Sequence, residues 1–483
     1  MQTLDRGELL RATGALLLAP RIHTDSLPSP LAELQREIAG QVVGRSSAGY
    51  DRARVLYNTR YDAYLPLAVV RCRTTSDVQK TVAWSRRHGI RIAARSGGHS
   101  YGGYSSAPGG VIVDVSPLAR VSVLANHRAI LGAGAKLIDI YAGLAQHGAA
   151  IPAGSCATVG IGGQALGGGI GFLSRKLGTT SDNLLSLTLV TADGVARTCS
   201  ATENADLYWA CRGGGGGNYG IATQYTFRTS PISTVATFAA EWPWAQAQSV
   251  ISAWQNWAPH APDGLFSVCN IGSAPSIRVS GQLVGSTTRL RALLTPLVST
   301  GTPTSVRVTQ RRFLEAAEYW AGCAPVSECR LQPAGSQTRM TFAAKSDYLR
   351  RPLPAAAIAT ILQAVPRAPI RGSLLLDSYG GALNSVPKGA TAFVHRDSLC
   401  SFQYLSAWDN PRDADASIAW LRSFHAAMRP YVSGEAYVNY IDPDLAGNPR
   451  AYYGQNLPRL VSIKRRYDPA NVFRFRQSIP LHV

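Results

Sequence analysis

The sequence predicts an α+β protein built as two lobes, and three observations carry that prediction. Its 483 residues are more than one hydrophobic core accommodates. From about Leu65 to Thr229, short β-branched runs alternate with helical stretches, and strand ends open into glycine-rich loops. From about Val235 to Pro430 the pattern shifts to longer polar–apolar strands separated by helices, which reads as an antiparallel sheet covering the first lobe. We place the divisions at residues 1–234, 235–432 and 433–483, with the last segment returning to the first lobe.

In the first lobe, Ser76–His88 reads as an amphipathic helix with Val78, Val82 and Trp84 among its apolar positions. Ile90–Ala94 and Val111–Val115 read as strands. Ala129–Leu131 precedes Gly132 and Gly134 and then a helix over Leu137–Gln146. Leu187–Thr191 and Val195–Cys199 form a hairpin whose turn centres on Asp193-Gly194, a dipeptide suited to positive φ. The second lobe offers strands at Ser276–Val284, Thr304–Gln310, Ser373–Asp377 and Leu399–Trp408, with helices at Ala355–Ala364 and Ala414–Met428. The tail reads as turns and one helix, Leu457–Tyr467, stopped by Asp468-Pro469.

Composition narrows the function classes. Hydrophobic residues make up 46%, and 46 Gly and 28 Pro are scattered, a globular pattern rich in turns. No apolar run approaches the roughly 18–20 residues a bilayer span requires, so a soluble protein without a membrane partner is expected. Lys and Arg exceed Asp and Glu by 48 − 29 = 19. The basic residues are nevertheless single or paired, with no basic helix carrying interleaved aromatics, which argues for a solvated cationic surface and against nucleic-acid binding. Eight cysteines show neither a CxxC pair nor a zinc pattern, and no metal site is expected. Cys323 and Cys329 are near enough in sequence to bridge, although spacing alone does not show it. Cys72, Cys199, Cys211, Cys269 and Cys400 read as buried thiols. The N-terminus, Asp5-Arg6-Gly7-Glu8 followed by Ala12–Pro20, lies between a degenerate twin-arginine export signal and an ordinary first helix. We favour the helix, hence a cytoplasmic location over export; oligomeric state is unreadable.

Glycine loops carry the chemistry. Arg95-Ser96-Gly97-Gly98-His99-Ser100-Tyr101-Gly102-Gly103 follows a strand, and its glycines let backbone N–H groups approach an anion such as a pyrophosphate. It is neither the GxGxxG fingerprint nor a P-loop, and alone it equally suits a tight turn with a surface histidine. Pro152-Ala153-Gly154-Ser155-Cys156-Ala157-Thr158-Val159-Gly160-Ile161-Gly162-Gly163, continuing to Gly167-Gly168-Gly169, leaves a surface almost bare of side chains, against which a flat ligand could lie. Arg212-Gly213 through Gly217-Asn218-Tyr219-Gly220-Ile221 is a third such run. Tyr437-Val438-Asn439-Tyr440, by itself, reads as packing.

In this order and spacing the four elements resemble the berberine-bridge-enzyme-like branch of the FAD-linked oxidases, over about Pro66 to Gln477. The resemblance rests on RSGGHS, GSCATVGIGG, YVNYIDPDL, YYGQNLPRL and YDPANVFRFRQSI. It implies a PCMH-type FAD-binding domain, a substrate-binding domain on an antiparallel sheet, and bicovalent FAD. His99 would attach to the flavin 8α-methyl as an 8α-histidyl link, and Cys156 to C6 as a 6-S-cysteinyl link. The chemistry suits these residues, since a neutral imidazole and a thiolate are the nucleophiles required, and we expect N–H dipoles to lower the cysteine pKa. FAD would further be held by Ser96, Gly97, Gly98, Ser100, Thr158, Val159, Gly162, Gly163, Gly167, Ile221, Tyr437 and Asn439.

The implied reaction removes a proton from a substrate hydroxyl with hydride transfer to flavin. The resemblance makes Tyr440 the base, a phenol whose ordinary pKa of about 10 demands a nearby donor or cation. It also puts Tyr379, Gln403 and Tyr141 at substrate-side positions, although Tyr379 and Tyr141 equally suit packing. Val159 matches a position that gates oxygen, and its small size implies an oxidase forming hydrogen peroxide. The partners are thus a small-molecule substrate and O2. The group oxidised is an alcohol of a sugar or of a glycosylated or polyketide-type secondary metabolite, as in antibiotic biosynthesis. Gln164 departs from the histidine many relatives carry there. Two alternatives stand beside this reading: an oxidative cyclase or amine- or C–H-oxidising enzyme, disfavoured because no glutamate marks the Gln403 strand, and a non-catalytic flavin-binding or basic binding protein.

Overall fold

The computed structural model describes residues 27–273 and 276–482. The N-terminal stretch Asp5–Pro20, read as export signal or first helix, lies outside the described residues. A four-stranded sheet comes first, in the spatial order Gln41–Gly44, Ala68–Arg71, Val111–Asp114, Ile92–Arg95. Its last three strands are parallel, which requires a crossover. The helix Thr75–His88 supplies it, capped by the reciprocal Thr74–Asp77 pair at its start and by left-handed Gly89 at its end. Val78, Val82 and Trp84 are all buried, as their spacing predicts.

A five-stranded antiparallel sheet follows, ordered Val121–Leu124, Arg128–Gly132, Gly220–Arg228, Leu184–Thr191, Ala196–Ser200. The expected hairpin is present, with Gly194 at φ +81°. Asp193 holds the turn by accepting from Thr191 Oγ1 at 2.6 Å and from Val195 N at 3.2 Å.

The third sheet is antiparallel and seven-stranded: Ser305–Arg312, Thr234–Pro243, Ser276–Leu283, Leu265–Gly272, Arg371–Ser378, Cys400–Trp408, Thr341–Leu349. Three of these strands, Thr234–Pro243, Leu265–Gly272 and Thr341–Leu349, were not expected from the sequence. One face of the sheet packs on the helices Ala247–Trp257, Thr287–Val298, Ala355–Ala364 and Ala414–Met428. Its other face turns toward the glycine loops. Cys323 and Cys329 are bridged, and Cys72, Cys199, Cys211, Cys269 and Cys400 are buried thiols. No helix among the described residues is long and apolar enough to cross a membrane.

Residues after Glu435 join the core of the first lobe. Ala436, Ile441, Leu460, Phe473 and Ile479 pack in one cluster with Val111, Leu131 and Ile161. Asp468 does more than end a helix. Fully buried, it pairs with the equally buried Lys464 and accepts from Val472 N at 2.7 Å and Phe473 N at 2.9 Å. Lys464 also donates to Asn218 O at 2.8 Å, which ties the tail to the third glycine run. Lys464→Met should therefore lower stability by about 3–5 kcal/mol, because it strands a buried carboxylate. Urea denaturation of the variant measures this, and an unchanged midpoint would show that the pair carries no stability.

Candidate active site

Between the glycine loops and the open face of the seven-stranded sheet lies a cavity of about 1460 Å³. Ordinary ligand pockets run to roughly 300–1,000 Å³, so the space suits a large cofactor together with a substrate.

The first wall is made by two glycine segments in backbone contact. A Cβ on Gly97 would stand 2.3 Å from Gly160 N, and one on Gly160 would stand 2.0 Å from Ser96 Oγ. Ser96 Oγ donates to Ala133 O at 2.6 Å, while Lys136 Nζ donates to Ser96 O at 3.0 Å. Arg95, at the end of its strand, is paired with buried Asp114 at 2.9 Å. This anchoring presents His99 to the cavity, stacked on Tyr57 with ring centroids 4.0 Å apart. His99 Nε2 lies 2.9 Å from Thr158 Oγ1. Burial, assisted by the Lys136 charge, lowers the imidazole pKa to about 3, so the ring is neutral and nucleophilic at ordinary pH. Burial likewise lowers Lys136 to about 8.

Cys156 is exposed to the same cavity. Its pKa is raised by burial within the cleft walls. The expected lowering by N–H dipoles is thus not observed, because desolvation of the thiolate dominates. Ser100, Val159, Gly162, Gly163, Gln164 and Ile221 line the cavity as well. Thr158 does not line it but holds His99, and Gly167 instead makes room for Asn439, whose Oδ1 a Cβ there would meet at 2.0 Å.

The opposite wall follows the two-residue alternation of the sheet. Leu375 and Asp377 of one strand and Gln403 and Leu405 of the next face the cavity, while Leu374, Leu376, Phe402 and Tyr404 fill the core behind. The C-terminal Tyr437, Asn439 and Tyr440 close the gap between the walls. Tyr437 Oη accepts from Gly169 N at 2.9 Å and from Asn439 Nδ2 at 2.8 Å, and Asn439 Nδ2 also donates to Gln164 O at 3.0 Å. Tyr440 stacks on Tyr101 at 5.2 Å, and Gln403 Nε2 donates to Tyr101 Oη at 2.7 Å. Burial and the Asp377 charge push the Tyr440 phenol well above its ordinary range. Asp377 is raised by burial to about 7.

Two expected residues stand elsewhere. Tyr379 is fully buried behind the wall, with Tyr348, Phe393 and Tyr437 around it. The strand has ended one residue earlier, and Gly380 and Gly381, both at positive φ, turn the chain away from the sheet. Tyr141 is also buried; it donates to Gly154 O at 2.6 Å and meets Phe313 edge-on, so it supports the Cys156 loop from outside the cavity. Tyr101 and Asp377 are two cavity residues to which the sequence alone assigned no role. Period-two alternation from Leu375, which pairs with Gln403, would have singled out Asp377.

The cavity fits FAD. At Gly163 no atom lies within 4 Å of where a Cβ would be, a bare surface for a flat ring, and Gly216 has only Gly163 Cα and Leu166 Cδ1 near, both at 3.8 Å. Among the described residues, Arg95 Nη1 and Gln164 Oε1 are a buried donor and a buried acceptor on this wall without hydrogen-bond partners. No group of metal-ligating side chains occurs among the described residues.

Comparison with known proteins agrees. Residues 66–200 match the family described as FAD binding domain, and residues 436–480 match that described as Berberine and berberine like. The uncharacterized FAD-linked oxidoreductase YgaK of Bacillus subtilis is 36% identical over 92% of this chain and 97% of its own length. The solved structure of Physcomitrella patens BBE-like 1 superposes with a TM-score of 0.89 at 34% identity, covering 94% of this chain and 99% of that one. Phl p 4, a grass pollen allergen with glucose dehydrogenase activity, gives a TM-score of 0.87 at 28% identity over 93% of this chain and 99% of that one. A variant of it with one isoleucine changed to valine is described as a glucose oxidase. With the glycine cradle, its facing polar wall and these relatives together, the chain belongs to the berberine bridge enzyme-like family of FAD-linked oxidoreductases.

Proposed function

We propose that this protein holds FAD through both His99 and Cys156 and oxidises an alcohol of a sugar or of a glycosylated or polyketide-type metabolite, passing the electrons to O2 to give H2O2. The observation that carries the reading is the polar wall of Asp377, Gln403, Tyr101 and Tyr440, which shares one cavity with His99 and Cys156. When bound, FAD supplies the hydride acceptor. The protein's own task is to orient the hydroxyl, take its proton and exclude water.

Two groups can take that proton. Burial raises both, but a raised carboxylate lands near neutrality whereas a raised phenol leaves the useful range. We therefore assign proton acceptance to Asp377 and orientation of the hydroxyl to Tyr440, held in place by its stack on Tyr101. A base must be ionised to act, so the rate of anaerobic flavin reduction should rise with pH up to about 7 and level off above it. Asp377→Asn should slow that reduction by about 10²–10⁴-fold and abolish the rise. Tyr440→Phe should slow it while keeping the pH profile. If the profile instead vanishes in Tyr440→Phe and persists in Asp377→Asn, the roles are reversed.

A cavity carboxylate also favours a second reading, oxidation of a C–H or N-methyl group. A substrate panel of sugars against tertiary amines separates the two.

Attachment is tested by acid precipitation and peptide mapping. One flavin should link the peptides bearing His99 and Cys156, and His99→Ala and Cys156→Ala should each leave a single link. Free flavin in the supernatant would refute the two-bond proposal.

Valine at 159 supports the oxidase assignment, in keeping with the isoleucine-to-valine glucose oxidase variant of Phl p 4. Val159→Ile should slow reoxidation by air and spare reoxidation by quinones. Equal effects on both acceptors would remove Val159 from oxygen access.

A further inference from the structure

The cavity face of the seven-stranded sheet carries a second polar group of residues, at the edge away from Gln403. Arg278, Ser280 and Asn270 line the cavity there, while Ile277, Val279, Cys269 and Ile271 fill the core behind them. Arg278 pairs with Asn270, Asn270 with Leu375, and Leu375 with Gln403, so Arg278 stands three strands from Gln403, roughly 14 Å away. That is too far for the ring being oxidised and suits a ring further along an extended substrate.

Register extends the same face outward. Ser280 pairs with Ala239, and Ala239 with Arg307, and residues paired across strands share a face. Four pairs further along, on the same face, Arg311 sits over the Tyr319 ring, 4.4 Å from its centroid, and Tyr319 Oη accepts from Arg278 Nη2 at 3.3 Å. The carboxylate nearest Arg278 among the described residues is Glu241, with Oε1 3.9 Å from Nε, the outer limit of an ion pair. That Nε is buried and makes no hydrogen bond. Beside it Trp320 is fixed by donating to Gln282 Oε1 at 2.9 Å and stacks on Phe172 at 4.1 Å, which gives the cationic edge a rigid aromatic floor. Attachment, hydride transfer and proton acceptance use none of these groups.

We propose that Arg278, with Arg307 and Arg311 behind it, forms a subsite for a carboxylate on the substrate, the uronic-acid ring of an oligosaccharide whose other end is oxidised at the flavin. A guanidinium takes a carboxylate through two parallel hydrogen bonds, and the net positive chain draws anions to the cleft. The proposal rests on the sugar-oxidising reading above.

The test compares cellobiose with cellobiouronic acid, which differ only by a carboxylate on the non-reducing ring, using the flavin-loaded full chain at low salt. Oxygen uptake gives kcat/KM for each sugar, and calorimetry under anaerobic conditions gives binding. The wild type should favour the acid by roughly tenfold or more, Arg278→Gln should bring the ratio close to one, and Arg278→Lys should retain part of the preference. No preference in the wild type, or the same ratio in Arg278→Gln, overturns the subsite. If neither sugar is oxidised, the sugar reading fails and binding alone decides. Tighter binding of the acid that Arg278→Gln abolishes sustains the subsite, and equal or undetectable binding of the two overturns it.

Discussion

Backbone contact between two glycine segments sets the rest of the site. Where Gly97 meets Gly160, either Cβ would fall within 2.4 Å of the other loop, so no side chain is tolerated at the crossing. One loop follows a strand of the four-stranded sheet; the other follows Ala149–Ala150 and leads into the short helix Ile161–Leu166. Their contact brings an imidazole and a thiol from distant stretches of sequence to one surface. Everything on the opposite wall is useful only because that surface has a fixed position.

A single physical effect governs the ionisable groups around the cavity. Desolvation lowers His99 and Lys136 and raises Cys156, Tyr101, Tyr440 and Asp377. Each shift favours the uncharged form. Near pH 7 His99, Cys156, Tyr101 and Tyr440 are thus neutral and Asp377 is at its titration point, while Lys136, at about 8, still carries most of its charge. Among the acids on the wall, that leaves Asp377 free to exchange a proton.

Elements with a clear period or cap were legible in the sequence. The helix Thr75–His88 announced itself by apolar spacing, the hairpin by Asp193-Gly194, and the helices Ala355–Ala364, Ala414–Met428 and Leu457–Tyr467 by amphipathic pattern. The strand Thr341–Leu349 was hidden by charges in its middle. Lys345 and Asp347 interrupt its apolar pattern, yet both are buried, Lys345 paired with Asp442 and Asp444 and Asp347 accepting from Arg429. Those partners lie far away in sequence, so no local pattern reveals them. The same applies to the site. His99 and Cys156 sit within local signatures, whereas choosing Asp377 over Tyr379 required knowing where the strand stops and which of its faces meets the cavity.

The C-terminal segment has a consequence for how the protein comes into being. Tyr437, Asn439 and Tyr440 complete the cavity, and the Lys464–Asp468 pair fastens the segment that follows them. A ribosome makes these residues after most of the cavity wall. The loops bearing His99 and Cys156 emerge long before Tyr437, Asn439 and Tyr440, which close the gap between the two walls. Closure of the cavity is therefore a late event in synthesis, after both glycine loops and the strands of the facing sheet have been made.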